Sequence, residues 1–248
     1  MSVRYGGWIE LSDPIVWESV GRAGYDFVVV DVQHGSLGFT EAIQAVQLLD
    51  SLKADVWLRI SSAQMHEIPR YLDFGLKGVI VATVDDADVA RRAVDFMRYQ
   101  PEGVRSYGGA RYGLAHEPPD VGDVRPGAWM MIETAAGAAN IEAIAAVQGV
   151  TGLLVGPADL SRAFGRPPGH RGEDPRWNDA VERVVKACRV GKIASIMNVR
   201  NGEDARRWAD FGYDHIVIAS DIANLRAALA RELAAARQEK RSALAVDV

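Results

Sequence analysis

Two carboxylates, one histidine and one arginine stand where short apolar runs of this chain come to an end. Glu133 closes Trp129-Met130-Met131-Ile132-Glu133, and Asp159 lies within Gly156-Pro157-Ala158-Asp159-Leu160-Ser161. Such a pair can serve as general acid and base. It can equally hold a hard divalent cation, because Mg²⁺ and Mn²⁺ are commonly bound by one or two carboxylates, with substrate oxygens and water completing the shell. His34, in Asp31-Val32-Gln33-His34-Gly35, has the side chain best suited to proton transfer near neutrality. Arg59 ends Asp55-Val56-Trp57-Leu58-Arg59 and would be costly to bury unpaired. A substrate carboxylate or an enolate oxygen would satisfy it. Each group also has a plain structural use. Glu133 could be salt-bridged, Asp159 could cap a helix, His34 could be a polar turn residue, and Arg59 could pair with a neighbouring acid. Gly156-Pro157 could be turn chemistry alone. Their shared position at strand ends favours a site.

The elements that must carry them repeat one phrase four times. Ala23–Val30, Phe74–Val81, Gln148–Val155 and Phe211–Ile218 each place a glycine (Gly24, Gly75, Gly149, Gly212) after a helical stretch and then run into a β-branched apolar strand. Glycine tolerates the left-handed geometry that ends a helix, and continuous apolar strands fit a parallel sheet buried on both faces. Weaker strands are expected at Gly7–Glu10, Asp55–Ile60, Trp129–Glu133 and Ile193–Ile196. Helices are expected near Asp13–Arg22, Thr40–Leu52, Ile68–Phe74, Ala87–Tyr99, Ala138–Val147, Trp177–Val190, Gly202–Phe211 and Ile222–Glu239. Eight strand–helix units without a linker, in 248 residues, predict a single-domain (β/α)₈ TIM barrel over residues 1–248. No Gly-x-Gly-x-x-Gly follows the first strand, which argues against a doubly wound open sheet. In such a barrel the catalytic face lies at the C-terminal ends of the strands, where all four groups converge.

The rest of the sequence narrows the chemistry. A net charge of −5 gives no reason to expect nucleic acid. Without a signal-like or membrane-length apolar run, a cytoplasmic location is expected. Cys188, the single cysteine, reads as a buried inert thiol. Of the other histidines, His66, His116, His170 and His215 fall in connections, in loops or at a strand start. The lysines are Lys53, Lys77, Lys186, Lys192 and Lys240, and none ends a strand. A Schiff-base mechanism therefore lacks its nucleophile, and carbanion chemistry would need a metal as electron sink. The Gly-, Pro- and Arg-rich segment 101–126 is a long loop of the kind that is usually functional or mobile. Within it Arg105, Tyr107 and Arg111 are candidate contacts to an acceptor carboxylate.

Gly7-Trp8…Asp13-Pro14, Asp31-Val32-Gln33-His34, Leu72-Asp73-Phe74-Gly75, Pro101-Glu102-Gly103-Val104-Arg105, Ile132-Glu133-Thr134 and Gly156-Pro157-Ala158-Asp159-Leu160-Ser161 together resemble the HpcH/HpaI aldolase family, in order from about Gly6 to Leu225. The resemblance implies class II aldol cleavage of 4-hydroxy-2-oxo acids to pyruvate, or hydroxypyruvate, and an aldehyde. Glu133 and Asp159 would hold Mg²⁺, Mn²⁺ or a similar ion such as Co²⁺. The substrate's carboxylate would meet the backbone N–H groups of Ala158 and Asp159 beside Gly156 and Pro157, with Trp8 also at the site. Arg59 would stabilise the enolate oxygen, and His34 would move the proton through water with Asp73 as its dyad partner. Trimers paired into hexamers, with the last helix exchanged, are implied as well. This chain departs from many relatives in carrying Gln33 for Glu, Ile60-Ser61-Ser62-Ala63 for a Trp-Asn-Asp-Pro-like stretch, and Met131 for Gln. Gln33 matches a hydroxypyruvate-using branch. The competing expectations are a citrate-lyase-like enzyme acting on a CoA thioester, a noncatalytic oxo-acid-binding barrel, and decarboxylation of oxaloacetate.

Overall fold

A computed structural model of the chain describes residues 2–108, 125–168 and 174–237. Arg111, His116, His170 and Lys240 lie outside the described residues. Eight parallel strands close into a barrel in sequence order: β1 Arg4–Ile9, β2 Phe27–Asp31, β3 Val56–Ser61, β4 Gly78–Ala82, β5 Gly127–Ile132, β6 Gly152–Val155, β7 Ala194–Val199 and β8 His215–Ser220. Around them run α1 Pro14–Arg22, α2 Phe39–Ser51, a 3₁₀ segment Ser62–Glu67 leading into α3 Ile68–Leu72, α4 Ala87–Met97, α5 Ala135–Ala139, α6 Ile141–Ala145, α7 Pro157–Ala163, α8 Pro175–Gly191, α9 Gly202–Phe211 and α10 Asp221–Ala236. The expected barrel is the observed one. Gly24, Gly75, Gly149 and Gly212 all have left-handed φ, as the repeated phrase predicts.

One expectation about local structure changes, and two short elements are additional. The single helix expected at Ala138–Val147 is two short ones, α5 and α6, interrupted at Asn140, whose side-chain amide donates to the Asp85 carbonyl at 2.8 Å. A short amide side chain with a backbone partner outside the helix competes with helix propagation. The 3₁₀ segment and α7, of six and seven residues, are too short to announce themselves by periodicity.

Two apolar shells follow from the period-2 alternation of the strands. One set of strand residues, with Val30, Leu58, Val81, Ile132 and Val155 among them, packs outward against the helices. The other faces the barrel axis: Trp8, Phe27, Val29, Trp57, Ile80, Trp129, Met131, Leu154, Ile196 and Val217. Near the strand starts this inner set is a stack of aromatic rings. Phe27 and Trp57 lie 4.2 Å apart, Trp57 and Trp129 4.4 Å apart, both pairs stacked. His215 lies against the stack, its ring 5.5 Å from that of Trp129. Small residues in register make the space, since Gly6 pairs Phe27, Gly78 pairs Trp57 and Gly152 pairs Trp129. A Cβ at Gly78 would come within 2.9 Å of Trp129 Nε1, and one at Gly152 within 2.5 Å of its ring. The floor of the barrel is thus a filled layer, as barrel interiors generally are.

Candidate active site

The same alternation that places the aromatic floor places the polar groups above it. Asp31 lies two residues beyond Val29 and four beyond Phe27, so it faces the axis, and it pairs in register with Arg59, which likewise follows Trp57 by two. Both are buried, Asp31 completely. Arg59 meets Asp31 as a fork, Nε donating to Oδ1 at 3.0 Å and Nη2 to Oδ2. Trp8 Nε1 donates to Oδ2 at 3.2 Å, and the Arg59 guanidinium sits over the Trp8 ring, 5.0 Å from its centroid. The backbone N–H groups of Gln33 and His34 also donate to Asp31 Oδ1, at 2.9 and 3.2 Å. A planar guanidinium held in a bidentate pair has little rotational freedom. Its third nitrogen, Nη1, carries no bond among the described residues. The acid-pair alternative for Arg59 is therefore real, with Asp31 as the acid, and it aims the cation without using all of it.

Glu133 is the first residue after β5 and is buried. Its Oε1 accepts the Thr83 backbone N–H at 2.7 Å, while Oε2 is buried with no partner among the described residues. Burial, and then the negative charges of Asp159 and Asp31, push its pKa up to about 7, although the Thr83 N–H and the Arg59 charge act the other way. Gly156 permits this crowding, because a Cβ there would stand 2.6 Å from Glu133 Oε2 and 2.7 Å from the Met131 methyl. Asp159 does not cap its helix. Gly156 occupies the cap position and Pro157 the first helical one, so Asp159 falls in the first turn of α7, exposed and close enough to Glu133 for their charges to interact. The first-turn N–H groups of α7, those of Ala158 and Asp159 among them, have no partner within the helix.

His34 lies three residues past β2, with an exposed side chain and no bond to its ring among the described residues. The structure does not bring Asp73 to it. Asp73 ends α3 and accepts Arg105 Nη2 at 2.8 Å, and the chain at Gly108 crowds the Asp73 carboxylate too closely to admit a Cβ. Arg105 is itself buried, with its guanidinium 4.5 Å from the centre of the Tyr99 ring. Tyr107, by contrast, is 70% exposed. Of the lysines, Lys53 and Lys192 occupy the turns before β3 and β7, Lys77 precedes β4 and Lys186 lies on α8; none of these four reaches the strand ends.

Sequence reasoning missed three contributors. Asp31 was visible only as part of a motif, although its register with Arg59 follows from strand parity. Thr83 gave no signal, because its contribution is a backbone N–H. Glu10, at the end of β1, interacts electrostatically with Asp31 and Arg59, and its carboxyl is pushed up in pKa chiefly by burial. Its backbone N–H is held by Asp221 at 3.0 Å, from the far end of the sequence.

Comparison with known proteins bears directly on this arrangement. Residues 4–238 match the HpcH/HpaI aldolase/citrate lyase family. The 5-keto-4-deoxy-D-glucarate aldolase of Klebsiella pneumoniae is 32% identical over 91% of this chain and 89% of its own length. The hydroxypyruvate/pyruvate aldolase of Pseudomonas aeruginosa is 33% identical over 93% of this chain and 87% of its own. Among solved structures, an HpcH/HpaI aldolase/citrate lyase family protein from Burkholderia cenocepacia superposes with a TM-score of 0.87 at 24% identity, covering 95% of each chain. With this match running through the strand ends that carry Asp31, Arg59, Glu133 and Asp159, the chain belongs to the HpcH/HpaI aldolase/citrate lyase family and is a carbon–carbon lyase.

Proposed function

We propose that the chain is a class II aldolase, dependent on a divalent metal, that reversibly cleaves a 4-hydroxy-2-oxo acid into pyruvate or hydroxypyruvate and an aldehyde. The observation that carries this reading is Glu133 Oε2, a buried carboxylate oxygen without a partner among the described residues, with the Asp159 carboxylate acting on it electrostatically. Buried unpaired oxygen of this kind is costly and fits a cation. Two hard oxygen donors, with the other positions left to substrate and water, are the pattern of Mg²⁺ and Mn²⁺ sites. Glu133 and Asp159 would hold the ion, which when bound supplies the positive charge that makes the substrate's keto group an electron sink.

The chain's own residues do the rest. Arg59, oriented by Asp31 and Trp8, stabilises the oxygen that becomes an enolate on C–C cleavage. The substrate's carboxylate lies against the Ala158 and Asp159 N–H groups beside Gly156 and Pro157. His34, exposed at the mouth, takes the C4 hydroxyl proton through water as the aldehyde departs, then returns a proton to the enolate carbon. Within the chain Asp73 is held by Arg105, so the relay is assigned to His34 and water. Asp73→Asn in the assembled enzyme tests whether a neighbouring copy brings the two together. A trimer or hexamer is supported by Leu225, Leu229 and Leu233, which line one face of α10 at four-residue spacing and are 47%, 62% and 52% exposed. No helix among the described residues is long and apolar enough to cross a membrane.

The test is pyruvate release from a racemic 4-hydroxy-2-oxo acid, with and without EDTA, followed by addition of Mn²⁺ or Mg²⁺. Activity lost in EDTA and restored by metal is expected. Undiminished activity in EDTA would remove the Glu133–Asp159 metal site, and inactivity throughout would shift the reading to a CoA thioester or to a binding barrel.

A further inference from the structure

We propose that Thr83 is a positioning residue for Glu133: its left-handed backbone aims an N–H at Oε1 and thereby leaves Oε2 as the oxygen offered to a ligand. The inference rests on the metal-site reading above and names the device that sets that site's geometry. Thr83 directly follows β4 and has φ 54°, a region that a β-branched residue enters only when its surroundings enforce it. Four non-glycine residues among those described have positive φ. Lys53 and Lys192 lie in turns leading from helices into strands, where such geometry is ordinary. Thr83 and Ala219 lie instead at the mouth of the barrel, and of the four only Thr83 is β-branched.

Two sets of contacts hold the conformation. Thr83 Oγ1 donates to the Ala82 carbonyl at 2.7 Å and lies 2.8 Å from Ser62 Oγ, so the Ser62 hydroxyl is left to donate to it. The residues that follow are tied to the segment flanking Glu133. Val84 N donates to the Met131 carbonyl at 3.3 Å, Thr134 Oγ1 to Asp85 Oδ1, and Asn140 Nδ2 to the Asp85 carbonyl at 2.8 Å. A Cβ at Gly137 would come within 2.6 Å of the Val84 carbonyl oxygen, so the two segments pack at backbone distance. The left-handed step at Thr83 turns the chain that follows β4 onto the segment beside Glu133, and the Thr83 N–H meets Oε1 at 2.7 Å. One fixed oxygen orients the carboxylate plane. Support of this kind around a ligating side chain commonly changes metal affinity by about 10- to 100-fold.

The test compares Thr83→Gly with Thr83→Val in the full-length protein, reading Mn²⁺ affinity from the free-ion electron paramagnetic resonance signal. Glycine adopts positive φ freely and keeps the N–H, so affinity within about threefold of wild type is expected. Valine keeps the shape of threonine, loses the hydroxyl bonds and favours extended backbone, so a loss of about tenfold or more is expected. A side chain that merely fills space predicts the reverse order, and that result would overturn the proposal. Should Thr83→Val fail to fold, Ser62→Ala replaces it. A several-fold loss is then expected, and unchanged affinity counts against the clamp. If wild type binds no Mn²⁺, the metal reading falls separately. The clamp is then judged by amide hydrogen exchange at residue 83, expected to be slow in wild type and fast in Glu133→Ala; fast exchange in wild type overturns it.

Discussion

The two ends of the barrel interior are built on the same alternation and solved in opposite ways. At the strand starts, Phe27, Trp57 and Trp129 stack into a plug against which in-register glycines leave no spare room. At the strand ends, the corresponding positions hold Asp31, Arg59 and, just past β5, Glu133. The floor also contains polar atoms without partners among the described residues, Trp129 Nε1 and His215 Nδ1, but they belong to neutral groups, and burial together with the Arg4 charge holds the His215 pKa down to about 4. At the mouth the polar groups are ionisable, and their satisfaction is uneven: Asp31 is saturated with donors, whereas Glu133 is half-bonded. Where buried polarity is complete it fixes geometry; at Glu133 it is left open, and that opening is where the proposed metal would sit.

The largest expected effect separates the two ends by function. Glu133→Gln should lower kcat/KM by about 10³-fold, roughly 4 kcal/mol of transition-state stabilisation. Mn²⁺ binding by calorimetry should vanish with it, while the denaturation midpoint holds or rises. Trp57→Ala, at the floor, should instead remove about 3 kcal/mol of folding stability by opening a cavity. Steady-state kinetics of the fraction that remains folded should stay within a few-fold of wild type. Asp31→Asn weakens the partner of a buried cation and should cost both properties, about 2 kcal/mol in stability and a larger fall in kcat than in KM. If Asp31→Asn moved stability alone, the role given to Arg59 at the enolate would fail.

Acidity acts on the two ends in opposite senses. Glu133 carries a folded-state pKa of about 7, above its ordinary 4.5. Metal-free folded protein thus holds a proton that the unfolded chain has lost, and this contribution is present at low pH and disappears as pH rises through 7. His215, at about 4 against an ordinary 6.5, is protonated first in the unfolded chain, so its contribution is lost as pH falls from 6.5 towards 4. The two slopes oppose each other between pH 4.5 and 6.5, so denaturant titrations in EDTA between about pH 4 and 8 should show Glu133→Gln steepening the rise of stability with pH and His215→Phe exposing the fall. Each group limits the slope to about 1.4 kcal/mol per pH unit. The smallest effect expected is none: borohydride with pyruvate should leave activity intact, because no Schiff base forms.

Much of this architecture is legible in the residues. Fully buried parallel strands must be continuously apolar, and the glycines that end the preceding helices mark where each one starts, so the barrel follows from four repeated phrases. The rule that barrel chemistry collects at strand ends locates Glu133, Arg59 and His34 without any coordinates. What stays hidden has physical reasons. Thr83 acts through its backbone and against its conformational preference. Asp73 and Arg105, which find each other across 32 positions, are joined by packing of loops that carry no periodic pattern. Asn140 breaks a helix that alanine-rich neighbours would otherwise continue, because its side chain has a partner in the connection after β4.

The bond between Asp221 and the end of β1 has a consequence for how the molecule is made. Asp221 receives the N–H groups of Glu10 and Leu11, 211 and 210 positions earlier in the chain, at the seam where β8 pairs with β1. On a ribosome adding about 5–20 residues per second, the first strand therefore waits roughly 10–40 s for its last neighbour. During that interval Trp8 lies on a strand at an open sheet edge. The nascent barrel is a structure with a beginning it cannot yet use, and protection of that edge falls to whatever meets the chain as it emerges.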